Sequence, residues 1–264
     1  MSVDANAFAT DTLDLQGIQV PYARRGPRGA PPILVLHGGG GPVSNQPALR
    51  GLSDTFDVIA PVHPGFAGTS LPPDFDGMED LVYLYLDFID ALELSEITLM
   101  GFSLGGWCAT ELAVRNSSRL SRLVLVDPVG IKPGGREDRD IADVFVIPAD
   151  ELLRRQYHDP ANAPDFSGLG DRELAILASN RTALALYGWE PYMHNPKLPG
   201  RMHRINLPTL LLWGESDGVV SVDYGRAFQR LIEGARLEVI ASAGHQPHVE
   251  QPEAWLEALR EFLG

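Results

Sequence analysis

The chain has very little cysteine and no long apolar run. Cys108 is the single cysteine among 264 residues, so no disulfide can form within the chain and the redox compartment is not restricted. No apolar run approaches the roughly 20 residues that cross a bilayer, and no basic segment followed by an apolar one opens the chain. These absences predict a cytoplasmic protein that does not enter membranes.

Basic residues are also few. The sequence has 21 Lys and Arg against 35 Asp and Glu, which gives a formal net charge of -14. Such a charge disfavours nonspecific binding to nucleic acid or to an anionic membrane surface. The remaining composition, with 44% hydrophobic and 21% charged residues, is that of an ordinary globular protein long enough for one large core. We therefore expect neither nucleic acid nor a membrane as a partner.

One pentapeptide carries the strongest chemical signal, Gly101-Phe102-Ser103-Leu104-Gly105. It follows an apolar run rich in branched residues and continues at once into a helix-like segment, which is the arrangement of a nucleophile elbow with the serine at its apex. Small residues are needed at 101 and 105 because side chains there would collide where strand and helix approach. Ser103 is therefore a candidate nucleophile, while a plain strand-to-helix turn stays open on this pentapeptide alone.

Strands and helices alternate along most of the chain. Short apolar runs predict strands, and apolar residues at helical spacing predict helices between them. This alternation favours right-handed crossovers and an α/β fold with a mostly parallel, doubly wound sheet of about eight strands. Strands are predicted at 12–17, 18–24, 33–36, 57–60, 97–102, 120–126, 208–213 and 236–240. Helices are predicted at 78–92, after Ser103, at 222–232 and from about 252.

The alternation stops in the segment 129–206. This segment is polar and rich in proline, with helical stretches around 149–157 and 171–187. About 75 residues between two core strands is far longer than an ordinary connection. We therefore expect a helical cap, or lid, over 129–206, inserted into an α/β core formed by 1–128 and 207–264.

Three polar residues follow three predicted strands in the order Ser103, Asp217, His245. The carboxyl ends of parallel strands meet at one edge of a sheet, where ligands bind, so residues distant in sequence can converge there. An imidazole makes serine a nucleophile by taking its proton, and a carboxylate on the other ring nitrogen orients the imidazole. The backbone N–H groups of Leu104 and Gly39 would form an oxyanion hole.

Five sequence motifs lie in order at the expected strand ends. They are HGGGG at 37–41, HPGFAGTS at 63–70, GFSLGG at 101–106, PTLLLWGESD at 208–217 and AGHQPHVEQPE at 243–253. In these motifs the chain resembles α/β-hydrolase-fold proteins over roughly 12–128 and 207–264. The resemblance implies that fold and assigns nucleophile, acid and base to Ser103, Asp217 and His245. No cofactor is implied, since these side chains supply nucleophile, base and electrostatics.

Other polar residues near the predicted strand ends admit a second interpretation. Asp127 also ends a strand, and some members of the resembled family take their acid from that position. We assign His248 and His37 to support of the loops in which they lie. We assign His63 a structural role at a place where relatives often carry Asp. Because the histidines, His245 included, lack the spacing of a metal site, we expect no metal.

A serine at the elbow favours acyl transfer, so we expect hydrolysis of a small-molecule carboxylic ester through an acyl-enzyme. Carbon–carbon hydrolysis of ring-cleavage products is a second hypothesis, because the glycine loop followed by Asn45 and the cap residue Arg181 resembles that subgroup. Phe102 and Gln246 depart from it, since those enzymes usually carry Asn before the serine and Trp after the histidine. The residues expected to line a substrate pocket are Gly40, Asn45, Phe102, Arg181, Trp189 and Tyr192.

Two further resemblances keep other functions open. The scaffold resembles slow-turnover ligand receptors, such as some plant hormone receptors, which keep an intact triad. Proline iminopeptidases resemble the chain at the HGG loop but carry a different turn where this one has HPGFAG. Trp189 and Tyr192 could equally pack the cap instead of lining a pocket. Nothing in the sequence decides between a monomer and a homodimer.

Overall fold

The fold is organised around one sheet, to which residues 4–264 contribute eight strands. These are the residues that the structure, a computed structural model, describes, with the backbone alone for residues 6 and 7. The first three residues of the predicted core segment 1–128 lie outside them. The strands are β1 (Asp11–Leu15), β2 (Ile18–Arg25), β3 (Pro32–Leu36), β4 (Asp57–Pro61), β5 (Ile97–Phe102), β6 (Leu120–Val126), β7 (Thr209–Gly214) and β8 (Arg236–Ile240).

Neighbouring strands follow the order β1-β2-β4-β3-β5-β6-β7-β8. β1 pairs antiparallel with β2, and β2 pairs antiparallel with β4, whereas the other neighbouring pairs are parallel. The prediction of a mostly parallel sheet is therefore confirmed. From β3 the chain goes to β4 on one side and then to β5 on the other side. The carboxyl ends of β3 and β5 thus flank the point where the winding reverses, which is where ligands bind in such sheets.

The central strands consist of buried, mostly apolar residues. β5 and β7 are buried at every position, as expected for strands that are covered on both faces. The edge strands β1 and β8 instead leave most of their residues exposed or half-buried. β1 carries Asp11 and Asp14, and charged residues on an edge strand discourage pairing with another sheet.

Helices connect the strands and form two groups on the sheet. α3 packs against α4, and α2 packs with α8 and α9, so the sheet is doubly wound as predicted. None of the described helices combines the length and the apolar content that spanning a bilayer requires. The helices are α1 (Ala5–Phe8), α2 (Gln46–Leu52), α3 (Met78–Ala91), α4 (Leu104–Arg115), α5 (Ala149–Gln156), α6 (Asp171–Gly188), α7 (Val222–Arg230), α8 (Pro247–Glu250) and α9 (Pro252–Leu263).

α3 illustrates how closely apolar spacing specifies a helix here. The spacing predicts a helix over 78–92, and α3 ends one residue earlier, with Leu92 in the capping position. At the other end, the carboxylate of Asp80 accepts a hydrogen bond from the N–H of Gly77 at 2.9 Å. This bond satisfies a donor that precedes the first turn, and the negative charge is favourable at a helix N-terminus.

The polar segment between β6 and β7 forms α5, α6 and short 3-10 helices at Pro160–Asn162 and Pro199–Arg204. We call residues 129–206 the inserted segment; its role as a cap stays a prediction. α6 lies against the loop that follows β3, since a Cβ added to Gly39 would lie 2.8 Å from Leu184. The inserted segment therefore borders the carboxyl edge of the sheet.

At this edge of the sheet, neighbouring segments approach so closely that only glycine, which has no side chain, fits between them. A Cβ on Gly105 would lie 2.2 Å from the carbonyl oxygen of Leu36, and one on Gly101 would lie 2.3 Å from that of Gly105. On the other side of β6, a Cβ on Gly214 would lie 1.8 Å from the carbonyl oxygen of Gly244. Real Cβ atoms essentially never approach within 3.0 Å, so side chains are excluded at these positions unless the backbone moves.

Gly105→Ala is expected to lower the free energy of unfolding by about 1–3 kcal/mol, because the added methyl group collides with backbone that cannot rotate away. In a helix without this contact, alanine would instead stabilise by roughly 0.5–1 kcal/mol. Urea unfolding followed by circular dichroism measures the difference. Gly200→Ala is the matched control, since nothing lies within 4 Å of its added Cβ. A Gly105→Ala protein as stable as the wild type would contradict the close approach.

Candidate active site

Ser103 lies at the sharp turn between β5 and α4. Its backbone has φ 48° and ψ -111°, a combination that is costly for a residue with a side chain. The turn is held by its own backbone, since the N–H of Ser103 donates to the carbonyl of Val126 at 2.9 Å and the carbonyl of Ser103 accepts from Trp107 at 3.1 Å. The side chain is half-buried. A strained, partly accessible serine is what the elbow sequence predicts.

Ser103, His245 and Asp217 form a continuous chain of hydrogen bonds. Nε2 of His245 lies 3.0 Å from Oγ of Ser103, and Nδ1 of His245 lies 2.7 Å from Oδ2 of Asp217. Because a carboxylate only accepts, Nδ1 carries the hydrogen and Nε2 is free to accept the serine proton. Oδ1 of Asp217 accepts from the N–H groups of Val219 at 2.7 Å and Val220 at 3.0 Å. The carboxylate of Asp217 is thereby fixed in position and buried.

Asp127, the alternative acid in the sequence, lies beside this chain at the end of β6. Its Oδ1 accepts from the N–H of Gly214 at 3.0 Å, and its Oδ2 is buried without a hydrogen-bond partner. The hydrogen of His245 Nδ1 goes to Asp217, not to Asp127. Burial, and then the charge of Asp217, raises the pKa of Asp127 well above its usual range.

The glycine loop after β3 lies against the elbow. A Cβ on Gly38 would lie 3.3 Å from the Cβ of Ser103, so the backbone passes close to the serine. Gly39 is half-buried and Gly40 is exposed. Among the described residues, neither the N–H of Gly39 nor that of Leu104 at the start of α4 has an acceptor. The two groups predicted to form an oxyanion hole are thus free to donate, and that role stays a prediction.

His37 and His63 stack beneath the glycine loop with ring centroids 3.7 Å apart. Nε2 of His37 accepts from the N–H of His63 at 3.0 Å, so Nδ1 carries the hydrogen and donates to the carbonyl of Gly38 at 2.8 Å. Nε2 of His63 donates to the carbonyl of His37 at 2.8 Å, while its Nδ1 accepts from the hydroxyl of Tyr85. Every ring nitrogen is satisfied with both rings neutral. Burial lowers the pKa of His63 to about 4 and that of His37 well below its usual range.

A second buried group supports the loop from the side of α8. Nε2 of His248 donates to the carbonyl of Ser44 at 3.2 Å, and the hydroxyl of Ser44 donates to the carbonyl of Gly41 at 3.0 Å. The ring of Phe102 packs on His248 with centroids 4.5 Å apart. Asn45 is buried, and its Nδ2 has no hydrogen-bond partner among the described atoms. Phe102 and Asn45 therefore lie beside this support network, and their contact with substrate stays a prediction.

α6 holds the glycine loop from above through Asn180, a residue that the sequence does not predict to belong to the site. Oδ1 of Asn180 accepts from the N–H of Ala67 at 2.6 Å, and its Nδ2 donates to the carbonyl of Gly40 at 3.3 Å. Leu184, one turn further along α6, covers Gly39. Residues four apart share a face of a helix, so this face of α6 faces the loop. No local motif marks Asn180, because its partners lie more than a hundred residues away.

The remaining predicted pocket residues belong to an aromatic cluster in the inserted segment. Arg181 donates to the carbonyl of Val144 at 2.8 Å and lies 5.6 Å from the centre of the Phe145 ring. Trp189 is 56% exposed and packs edge-on against Phe145, with centroids 5.5 Å apart. The hydroxyl of Tyr192 accepts from the N–H of Val144 at 2.9 Å. These side chains hold one another together, and a role toward substrate stays a prediction for each.

Glu250 was also missed, although it falls within the motif that contains His245. Its carboxylate accepts from the N–H of Gly244 at 2.6 Å and from the N–H of His158 in the inserted segment at 3.1 Å. The N–H of His245 itself donates to the carbonyl of Gln156 at 2.7 Å. The end of α5 thus braces the loop that carries His245. Glu250 shows no sequence signal for this contact, because its partners are backbone groups.

Comparison with known proteins gives a family and several relatives. A model of the family described as "alpha/beta hydrolase fold" matches residues 31–252. The 2-hydroxy-6-oxo-2,4-heptadienoate hydrolase of Pseudomonas putida is 27% identical over 262 residues, covering 88% of this chain and 88% of that protein. The pimeloyl-(acyl-carrier protein) methyl ester esterase of Photobacterium profundum is 27% identical over 246 residues, covering 88% and 94%. A crystal structure of a bacterial membrane phospholipase A superposes with a TM-score of 0.80 at 25% identity, covering 96% of this chain and 84% of that one.

Acidification is expected to destabilise the protein through its buried neutral histidines. Burial lowers the pKa of His63 to about 4 and that of His248 to about 3. The unfolded chain takes up these protons first, near pH 6.5, so the stabilisation is complete above that pH and declines as the pH falls toward 4. Each such histidine contributes a slope of up to about 1.4 kcal/mol per pH unit.

Urea unfolding at several pH values between 7.5 and 4.5 measures this slope. His248→Gln is expected to reduce it, whereas replacement of the exposed His203 by Gln should leave it unchanged. Equal slopes in the wild type and His248→Gln would mean that His248 does not stay neutral in the folded protein.

Proposed function

Because the chain belongs to the α/β-hydrolase-fold family, a family of hydrolases, we propose that it cleaves a small-molecule carboxylic ester through an acyl-enzyme. The observation that carries this proposal is the chain of hydrogen bonds in which His245 bridges Ser103 at 3.0 Å and Asp217 at 2.7 Å. A hydroxyl beside an imidazole base, with a carboxylate that orients the imidazole from its other side, is the arrangement that activates serine for acyl transfer.

The proposed reaction proceeds in two halves. Oγ of Ser103 attacks the ester carbonyl carbon while its proton moves to Nε2 of His245, and Asp217 stabilises the imidazolium that forms. The tetrahedral intermediate then breaks its bond to the leaving oxygen, which receives the proton from His245. In the second half a water loses a proton to His245 and attacks the acyl-enzyme. The carboxylic acid leaves, and the proton returns to Ser103.

The free N–H groups of Gly39 and Leu104 suit the negative oxygen of the intermediate. The glycine loop is held by Asn180 through Gly40 at 3.3 Å and by the buried histidines below it, so these donors need little rearrangement during the reaction. Preorganised donors of this kind are usually the largest electrostatic contribution to acyl transfer.

Ester cleavage is favoured over carbon–carbon cleavage by the position of Arg181. Its guanidinium is engaged with the carbonyls of Val144 and Phe145 at 2.8 Å and 3.2 Å, which leaves it poorly placed to bind a substrate carboxylate. The carbon–carbon alternative is supported by the relative named as a heptadienoate hydrolase and by the unpartnered Nδ2 of Asn45. The ester proposal is supported by the relative named as a methyl ester esterase.

Ser103→Ala is expected to fold normally and to lose ester hydrolysis by roughly 10⁴-fold or more in kcat/KM, because the attacking oxygen is gone. The measurement is steady-state and burst kinetics on p-nitrophenyl esters of short and medium acyl chains. One ring-cleavage dienoate is included in the panel. Turnover of the dienoate alone would move the assignment to carbon–carbon hydrolysis, and a burst without turnover would indicate a slow receptor. Activity retained by pure Ser103→Ala would remove the serine from the reaction.

Asp217→Asn is expected to lower kcat by roughly 10⁴-fold, because the N–H groups of Val219 and Val220 retain the amide oxygen and the amide NH₂ then faces Nδ1 of His245. An NH₂ group favours the wrong tautomer of the imidazole and cannot stabilise its positive charge. KM should change little, since Asp217 lies behind the His245 ring, on the side away from Ser103. Ser216→Ala, at the neighbouring position in the same loop, is the control for loop disturbance. An Asp217→Asn enzyme within ten-fold of the wild type would contradict the assignment of the acid.

A further inference from the structure

Asp127 sits in an unusual setting for a residue outside the proposed triad. It directly follows β6, it is 1% exposed, and its backbone has φ 43°, a region that few non-glycine residues occupy. Its N–H donates to the carbonyl of Leu212 at 3.0 Å, so the sheet itself holds this conformation. Strained, buried polar residues persist where the surroundings over-determine them, which is common at functional sites.

The two side-chain oxygens of Asp127 differ in their hydrogen-bond partners. Oδ1 accepts from the N–H of Gly214 at 3.0 Å, whereas Oδ2 is buried and has no donor among the described residues. One carboxyl oxygen of Asp127, one of Asp217 and one ring nitrogen of His245 lie within 4.8 Å of one another. An ionised oxygen left without a donor in such a place would be strongly unfavourable. A proton on Oδ2 removes that cost, because the oxygen then donates.

The distribution of donors decides which carboxyl holds the proton. Asp217 accepts from three N–H groups, those of Val219, Val220 and His245, and each of them favours its ionised form. Asp127 accepts from one. Two carboxylates this close cannot both stay ionised in a buried site, so the proton resides on Asp127. Its raised pKa, caused by burial and by the charge of Asp217, agrees with this distribution.

We propose that Asp127 is a neutral positioning residue, which donates a hydrogen bond from Oδ2 to the carboxylate of Asp217 and so fixes the acid that orients His245. As part of the same reaction, this role rests on the proposed function. The group is not a catalytic acid, since its Oδ1 accepts from the N–H of Gly214. The ring nitrogens of His245 bond instead to Ser103 and Asp217. Asp217 and His245 are the titratable side chains that face Asp127, from the loops after β7 and β8.

A neutral Asp127 has a definite consequence for the reaction. A second negative charge beside Asp217 would hold the proton on His245 more tightly and would hinder its transfer to the leaving oxygen. The hydrogen bond from Asp127 acts in the opposite sense, because it spreads the charge of Asp217. The base then stays able both to accept and to return a proton.

Two variants separate the neutral from the ionised state. Asp127→Asn keeps a donor at the position of Oδ2 and an acceptor at the position of Oδ1, and asparagine tolerates the positive φ. Asp127→Gly also tolerates that φ but removes both groups. The first readout is the midpoint of the His245 titration followed by ¹H–¹⁵N NMR of the histidine rings, assigned with His245→Gln. The second readout is kcat and KM on the p-nitrophenyl ester panel.

For Asp127→Asn we expect a titration midpoint within about 0.3 pH unit of the wild type and kcat within roughly three-fold, because the hydrogen bond is retained. For Asp127→Gly we expect a midpoint raised by roughly 0.5–1 unit and kcat lowered by about ten-fold or more at unchanged KM, because Asp217 loses its donor. A midpoint that shifts equally in both variants, or in neither, overturns the proposal. So does a midpoint that falls in Asp127→Gly.

The titration needs no substrate, so it separates this proposal from the ester assignment. If the wild-type protein turns over no ester, the proposed function fails while the NMR midpoints still test Asp127. If esters are turned over and the two variants titrate alike, the positioning role fails while the function stands. Far-UV circular dichroism and urea unfolding establish that both variants are folded before either comparison.

Discussion

Contact between bare backbones at the carboxyl edge of the sheet is the constraint on which the site depends. A methyl group on Gly105 would lie 2.2 Å from the carbonyl oxygen of Leu36, and one on Gly214 would lie 1.8 Å from that of Gly244. The first contact brings the elbow beside the glycine loop, and the second brings the acid loop beside the loop of His245. Without these approaches the 3.0 Å contact between Ser103 and His245 could not form, since the loops would be separated by side chains.

The polar groups packed beneath this edge are kept neutral. His37, His63 and His248 are buried with lowered pKa values, and Asp127 is buried with a raised one. Asp217 is then the single buried carboxylate beside the imidazole, in a chain whose formal net charge is -14. A low-dielectric setting strengthens the attraction between Asp217 and the imidazolium form of His245. These four neutral side chains therefore hold the loops in place, and they do not compete for the proton that the proposed reaction moves between Ser103 and His245.

The strands, the longer helices and the three central residues could be predicted because their signals are local. Apolar runs give the strands, the small residues around Ser103 give the elbow, and parallel topology brings three strand ends to one edge. Asn180 and Glu250 could not be predicted, since each binds backbone groups far away in the sequence, Asn180 to Gly40 across 140 positions. The resemblance to carbon–carbon hydrolases points instead to Arg181. Successive helical residues point about 100° apart, so a neighbour on α6 faces a different surface.

The backbone of the inserted segment is hydrogen-bonded to the loops that carry Asp217 and His245. The carbonyls of Arg155 and Gln156 accept from the N–H groups of Gly218 and His245 at 2.9 Å and 2.7 Å. Backbone contacts persist when side chains change, so the end of α5 is constrained together with the acid and base loops. Displacing it would withdraw acceptors from both loops at once. α6 and the aromatic cluster around Phe145 instead meet their neighbours mainly through side chains, so substitutions there leave these backbone contacts intact.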